Sequence, residues 1–205
     1  MTMTRRTLAV VSAGLSQPSS TSLLASRLAA ATTQAAFQRG MDVEVTTIEL
    51  REHAHDLTDN LLTFFASDQL QTAKDAVADA DGVIAVTPVF SASYAGLFKT
   101  FFDLLDEDAL TATPVLLGAT AGTPRHSLAL EHAIRPLFSY LRAATIPTAV
   151  FAASQDWGAH DTADGALTHR IDRAAGELAT LLGADLGRVR QDAFADPTPF
   201  EQLLG

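Results

Sequence analysis

The sequence predicts an α/β protein built on a doubly wound, five-stranded parallel sheet with helices on both faces. Short apolar runs of strand length alternate five times with longer stretches that carry apolar residues at helical spacing. All but one of these runs are continuously apolar, as expected for strands that are covered on both faces. The 205-residue length suits one domain with a sizeable core, and no repeat or low-complexity tract interrupts the alternation.

The apolar runs define the predicted strands, which are Thr7–Ser12, Val43–Leu50, Gly82–Thr87, Pro114–Ala119 and Ile146–Ala152. The second of these runs alternates apolar and polar residues, which suits an outer strand of the sheet. The helical spacing defines the predicted helices, which are Thr21–Arg39, Asp68–Ala80, Ala95–Leu105, Ser127–Ala143 and Gly165–Gly183. We expect one domain over residues 1–184. The tail over residues 185–205 is expected to cover the surface or to reach a partner subunit.

Two predicted helices have features that bear on packing. The third is apolar nearly all round, with Phe98, Phe101 and Phe102 among several leucines. Such a helix is expected to be buried in a subunit interface as well as against the sheet, which predicts a homodimer or a dimer of dimers. The fourth contains His132 and Pro136, and an internal proline removes one helical hydrogen bond and predicts a bend.

Composition excludes several classes of function. The formal net charge of −10 makes the protein a poor non-specific binder of nucleic acid or of an anionic membrane. The absence of cysteine excludes disulfides, thiolate chemistry and cysteine-ligated zinc. Arg5 and Arg6 precede an apolar run that is too short for an export signal, and no run approaches the ~18 apolar residues of a membrane span. We therefore expect a soluble, cytoplasmic protein.

Three polar loops follow predicted strands at the edge where ligands bind in open α/β sheets. They span Ser12–Ser22, Thr87–Gly96 and Gly118–His126. The first loop places hydroxyls and free backbone N–H groups at a helix start, which suits a phosphate but equally suits an ordinary N-cap cluster. It lacks both GxGxxG and GxxxxGK[ST], which argues against a dinucleotide-binding Rossmann site and a P-loop NTPase. With one loop for a phosphate and two to flank a ring, the layout is that of an FMN site in a flavodoxin-like fold.

Longer segments carry a resemblance to a known family. They read SAGLSQPSSTSLLA, LREHAHDLTD, DGVIAVTPVFSASYAGLFKTFFDLLDEDAL, PVLLGATAGTPRHSLALEHAIRPLFSYLRA and VFAASQDWG. The chain resembles NAD(P)H-dependent FMN reductases of flavodoxin-like fold, from about Leu8 to Gly158. More narrowly, it resembles the actinobacterial branch encoded beside luciferase-like flavin monooxygenases. In relatives the fourth helix lies in an oligomer interface, and a residue matching His132 can sit at a π-type bulge; a simple kink is the alternative.

The resemblance implies the cofactors and the residues that bind them. FMN would be reduced by NADH or NADPH, and reduced FMN would be delivered to a flavin-dependent monooxygenase. The phosphate loop would contain Ser16, Ser20, Thr21 and Ser22. The loop beside the isoalloxazine would contain Pro88, Val89, Phe90, Ser91 and Tyr94, and the loop near the pyrimidine end would contain Thr120, Ala121 and Gly122. No catalytic side chain and no metal ion are implied, because the flavin carries the hydride chemistry.

Two other functions stay open, namely an FMN-containing quinone or azo reductase and a flavodoxin-type electron carrier without NAD(P)H activity of its own. Flavodoxins usually sandwich the flavin between aromatic side chains, whereas these loops offer only Phe90 and Tyr94. That difference favours an open ring face and hydride transfer.

Several charged side chains have competing interpretations. We expect a polar loop rather than a metal site at His53, His55, Asp56 and Asp59. This loop would cap the ligand site or contact another subunit. Lys99 and Asp103 predict a structural ion pair within one helix. Arg125 and His126 either meet the phosphate of the nicotinamide dinucleotide or form a solvated loop.

Overall fold

The computed structural model describes residues 3–157, 165–184 and 186 of the chain. The strands are β1 Thr4–Ser12, β2 Met41–Glu49, β3 Gly82–Phe90, β4 Ser93–Tyr94, β5 Pro114–Ala121, β6 Ala144–Thr145 and β7 Val150–Ala153. The α-helices are α1 Ser20–Phe37, α2 Ala54–Thr63, α3 Asp68–Ala78, α4 Gly96–Asp103, α5 Arg135–Tyr140 and α6 Ala166–Leu182. Except for Leu186, the predicted tail over 185–205 lies outside the described residues, so that boundary stays a prediction. None of the helices among these residues is long and apolar enough to cross a membrane.

The sheet has the order β2-β1-β3-β5-β6, with β7 also paired to β5 and β4 forming a hairpin with β3. Every pairing is parallel except that of the hairpin. The doubly wound parallel fold is therefore confirmed, and the alternating second strand is an edge strand as predicted. Chain connections run in opposite directions from β1, so the topological switch point lies between β1 and β3.

Two apolar layers explain the continuously apolar strands. In β3, Ile84 and Val86 face the layer of α1 and α6, while Val83 and Ala85 face the layer of α3, α4 and α5. All four side chains are fully buried. Because successive residues of a strand point to opposite faces, a strand covered on both sides has no position that faces solvent.

Two short strands, β6 and β7, stand where the sequence predicts the single strand Ile146–Ala152, so that prediction is wrong. Pro147 interrupts the pairing because it has no backbone N–H to donate to the ladder. Side chains bridge the gap. Arg135 donates to the carbonyls of Ile146 and Pro147 at 3.0 and 3.1 Å, and Glu177 accepts from the backbone N–H of Thr148 at 2.8 Å. Arg135 also donates to Glu131, and this hydrogen bond lowers the pKa of the Glu131 carboxyl.

The predicted polar loop around His53–Asp59 is wrong, because a 3-10 turn over Leu50–His53 leads directly into α2. Leu50 and Leu57 are fully buried and anchor this segment. The sequence signal for the start of this helix is weak because its N-cap residue, His53, is not one of the residue types that usually cap helices. In the structure its side chain makes no capping hydrogen bond. Among the described residues, no group of three His, Asp or Glu side chains is placed to hold a metal ion.

The aromatic residues of α4 are buried within a single chain. Phe98, Phe101 and Phe102 have at most 1% of their surface exposed. The ring of Phe102 lies 4.8 Å, centroid to centroid, from both Phe98 and Phe138 of α5. The chain itself therefore covers these three side chains, so their apolar character is not evidence for a second subunit. The predicted subunit interface at α4 stays a prediction.

The predicted helix Ser127–Ala143 is interrupted by a π-helical turn over Leu130–Ile134 that precedes α5. In this turn the backbone N–H of Arg135 donates to the carbonyl of Leu130, a bond five residues apart. Pro136 then falls in the first turn of α5, where its missing N–H needs no partner. The π-type bulge at His132 is thus confirmed.

Truncation of the aromatic core should destabilise the fold strongly. Phe138→Ala removes a fully buried ring and should lower the free energy of unfolding by about 3–5 kcal/mol, measured by urea denaturation. Phe37→Ala makes the same chemical change at a side chain that is 66% exposed and should change it by less than about 0.5 kcal/mol. Equal losses in the two variants would show that the aromatic cluster is not the core of this layer.

Candidate functional site

The three predicted loops leave the sheet at one edge because the strands that precede them end in register. Ser12 pairs with Val86, and Pro88 pairs with Thr120. The backbone N–H of Ala13 continues the ladder by donating to the carbonyl of Val86 at 3.0 Å. The loops after β1, β3 and β5 therefore surround the topological switch point, where ligands of this class of fold bind.

The first loop turns tightly into α1. Ser19 is the N-cap residue, and its side chain accepts from the backbone N–H of Ser22 at 3.1 Å. A Cβ at Gly14 would collide with the hydroxyl oxygen of Ser19, so any larger residue would force that side chain out of its capping position. The N–H groups of Ser20 and Thr21, in the first turn, have no acceptor within the helix and give it a positive end.

Two of the predicted phosphate-binding hydroxyls are available at this loop. Ser16 and Ser20 are exposed, and neither side chain makes a hydrogen bond within the described part of the chain. No lysine or arginine occurs between Ser12 and Ser26. The loop therefore offers an anion only neutral donors, which are hydroxyls and backbone N–H groups.

Thr21 and Thr120 join the first and third loops. Their hydroxyl oxygens lie 2.8 Å apart, and each residue is 3% exposed. The structure thus brings these two predicted site residues together, but their hydroxyls hydrogen-bond to each other. Both act on the site by fixing the start of α1 against the end of β5.

The second loop is a tight β-hairpin. Val89 pairs with Tyr94 and Phe90 with Ser93, and Ser91 and Ala92 form the two-residue turn. Their φ angles of 49° and 69° are both positive, as a type I′ hairpin turn requires. Residues with a Cβ rarely adopt these angles, so the turn holds backbone strain at the candidate site.

Buried Thr87 fixes the base of the hairpin. Its hydroxyl donates to the carbonyl of Pro88 at 2.9 Å and accepts from the backbone N–H of Ala95 at 3.0 Å. The π-helical turn over Leu130–Ile134 packs against β4. Pro88 is buried, Val89 and Tyr94 are partly buried, and Phe90 is 50% exposed. The hairpin therefore presents a small, ordered surface with a single exposed ring.

The third loop leaves open space at the end of β5. Ala121 is half-buried and Gly122 is exposed, with no atom within 4 Å of the position that its Cβ would take. Arg125 and His126 follow in an exposed 3-10 turn, which leaves both of their interpretations open. Within α4, Lys99 and Asp103 form the predicted ion pair, with 2.7 Å between Nζ and Oδ2.

Sequence reasoning missed the residues that position these loops. Ser12, Ser19 and Thr87 each accept or donate a hydrogen bond at a loop base, and Glu49 at the end of β2 accepts from Ser22 at 2.9 Å. A Ser just before a helical stretch is a typical N-cap residue, so the sequence could have identified Ser19 as an N-cap candidate. The partners of Thr87 and Glu49 depend on tertiary structure and carry no local signal.

The chemistry of the loops suits FMN. The neutral donors at the start of α1 suit a phosphate monoester, and the third loop leaves open space at Gly122. Residues 6–158 match the family model described as NADPH-dependent FMN reductase. The chain belongs to this family.

Similar proteins agree with this family assignment. An FMN reductase (NADPH) of Pseudomonas aeruginosa is 39% identical over 84% of this chain and 90% of its own length. The NADH-dependent FMN reductase SfnE of Pseudomonas putida is 37% identical over 85% of this chain and 91% of its own length. A solved oxidoreductase structure from Corynebacterium diphtheriae is 50% identical, has a TM-score of 0.83, and is matched over 89% of this chain and 98% of that one. The chain is thus an NAD(P)H:FMN oxidoreductase with a flavodoxin-like fold.

Relieving the strain of the hairpin turn should stabilise the reductase. Ala92→Gly removes the Cβ at a φ of 69° and should raise the free energy of unfolding by about 1 kcal/mol, measured by urea denaturation. Ala30→Gly, at an exposed position within α1, should lower it by about 1 kcal/mol because glycine is a poor helix former. A loss of stability in Ala92→Gly would contradict the strained turn.

Proposed function

We propose that the three loops bind FMN with its phosphate at the start of α1 and its isoalloxazine beside the hairpin. The free hydroxyls of Ser16 and Ser20 and the first N–H groups of α1 bind the phosphate. Pro88, Val89 and Phe90 lie along the ring, and the backbone near Gly122 meets its pyrimidine end. When bound, FMN supplies the hydride chemistry, and these residues bind and orient it. The observation that carries this proposal is the common edge formed by the ends of β1, β3 and β5.

The phosphate assignment is tested by comparing FMN with riboflavin, which lacks the phosphate. The double variant Ser16→Ala/Ser20→Ala should weaken FMN binding by on the order of 1–3 kcal/mol in calorimetric titrations, because hydrogen bonds to a charged phosphate are lost. Its affinity for riboflavin should not change. Ser26→Ala, exposed further along α1, is the control and should bind both flavins as the wild type does. If wild-type protein binds FMN and riboflavin equally well, the phosphate assignment is wrong.

We further propose that reduced FMN leaves the reductase and supplies a separate flavin-dependent monooxygenase. Exchange is favoured by a phosphate loop that has no lysine or arginine and that holds its ligand by neutral donors alone. It is also favoured by the exposed rim of the site at Phe90 and Gly122. The resemblance to reductases encoded beside luciferase-like monooxygenases supplies the class of partner.

Delivery of reduced flavin is tested by anaerobic turnover with FMN in large molar excess over protein. Either NADH or NADPH should bleach all of the FMN under these conditions. A luciferase-like monooxygenase, held with its own substrate behind a dialysis membrane, should then form its product once O2 is admitted. Reduction of only one equivalent of flavin per site, retained by the protein on gel filtration, would instead indicate a prosthetic flavin.

We also propose that the active unit is a symmetric oligomer in which α2 and the residues that follow it contact a second copy. Leu62, Phe64 and Phe65 lie within four consecutive residues and are 72%, 86% and 81% exposed. Such a concentration of exposed apolar side chains marks a candidate contact patch. A two-fold related copy would cover this patch and remove its apolar side chains from water.

A charged substitution in the patch should dissociate the oligomer. Leu62→Glu/Phe65→Glu should lower the molar mass found by light scattering, because it would bury unpaired carboxylates between subunits. Phe37→Glu makes a similar change at an exposed ring at the end of α1 and should leave the mass unaltered. A monomeric wild type would contradict the proposal. A monomeric variant with unchanged FMN affinity would keep the interface but exclude a site shared between subunits.

A further inference from the structure

A chain of hydrogen bonds runs beneath the first loop and ends on a carboxylate. Ser12 Oγ and Ser22 Oγ lie 3.1 Å apart, and Ser22 Oγ donates to Glu49 Oε2 at 2.9 Å. Ser12 and Glu49 are register partners of adjacent parallel strands, so their side chains emerge side by side. This geometry ties the end of β2, the end of β1 and the first turn of α1 together.

The carboxylate fixes the direction of every bond in this chain. An ionised carboxylate has no proton and only accepts, so Ser22 gives its single hydroxyl proton to Glu49. Ser22 Oγ is then left as the acceptor for the hydroxyl of Ser12. A phosphate oxygen also only accepts, so Ser22 has no proton for a phosphate while Glu49 holds it.

Glu49 also places a negative charge beside the positive end of α1. The first turn of this helix contains no acidic residue of its own. Within residues 3–157 and 165–184, no lysine or arginine pairs with Glu49. The carboxylate therefore faces the same helix dipole that favours a bound phosphate, and two anions at one helix end repel each other.

We infer that Glu49 sets the affinity of the site for the FMN phosphate, a phosphate monoester dianion. Its carboxylate withholds the Ser22 hydroxyl and repels the phosphate, so that FMN binds weakly enough to be exchanged between turnovers. This inference rests on the proposed position of the phosphate at the start of α1. Ser22 is accordingly a positioning residue that connects Glu49 to the loop.

Glu49→Gln tests the inference because glutamine keeps the size and the accepting oxygen of glutamate but removes its charge. FMN should bind on the order of tenfold more tightly to this variant in calorimetric titrations, because a like charge near the phosphate is lost. Riboflavin affinity should not change, and the gain for FMN should shrink at high salt. The control Glu44→Gln makes the same change about 16 Å away on the same strand and should bind FMN as the wild type does.

Ser22→Ala provides a second, independent measurement. Because Ser22 gives its proton to Glu49, this variant should lose less FMN affinity than Ser20→Ala, whose hydroxyl is free. An equal or greater loss for Ser22→Ala would show that Ser22 donates to the phosphate and would overturn the inference.

The possible outcomes separate this inference from the proposed function. If the wild type prefers FMN over riboflavin but Glu49→Gln binds FMN no more tightly, only the role of Glu49 is rejected. If Glu49→Gln tightens FMN and riboflavin equally, the effect is not exerted on the phosphate and the role is again rejected. If the wild type binds the two flavins equally, the phosphate position fails, and this inference fails with it.

Discussion

The site depends on the parallel register of β1, β3 and β5. Because Ser12 pairs with Val86 and Pro88 with Thr120, three loops that are distant in sequence begin at one edge of the sheet. The buried hydroxyl pair of Thr21 and Thr120 then locks the start of α1 to the end of β5. A shift of one residue in this register would move each side chain to the other face and separate the loops.

Polar side chains within the protein hold the loops in place, which leaves the outer groups free for ligand. Thr87 satisfies the backbone at the base of a strained hairpin, and Ser19 caps α1. The hydroxyls of Ser16 and Ser20, the hairpin surface and the space at Gly122 stay available at the edge. A rigid base with an open rim suits an enzyme whose flavin must meet a nicotinamide on one face.

The fold was predictable because continuous apolar runs such as Gly82–Thr87 and helical spacing are strong local signals. The three ligand-binding loops could be predicted because each follows a strand at the same edge of the sheet. The individual FMN-binding residues came from the family resemblance. The division of the fifth strand at Pro147 and the helix after Leu50 were not predicted, because side-chain bridges and two buried leucines decide them. The partnership of Ser22 with Glu49 depends on strand register, which the sequence alone does not specify.

The central claim concerns where FMN binds, and a crystal structure of the complex with FMN tests it most directly. Our account predicts the phosphate within hydrogen-bond distance of Ser16, Ser20 and the first N–H groups of α1. It places the isoalloxazine between the Val89–Tyr94 hairpin and Gly122, with one ring face open. A phosphate bound elsewhere, or a ring enclosed on both faces by aromatic side chains, would contradict the account.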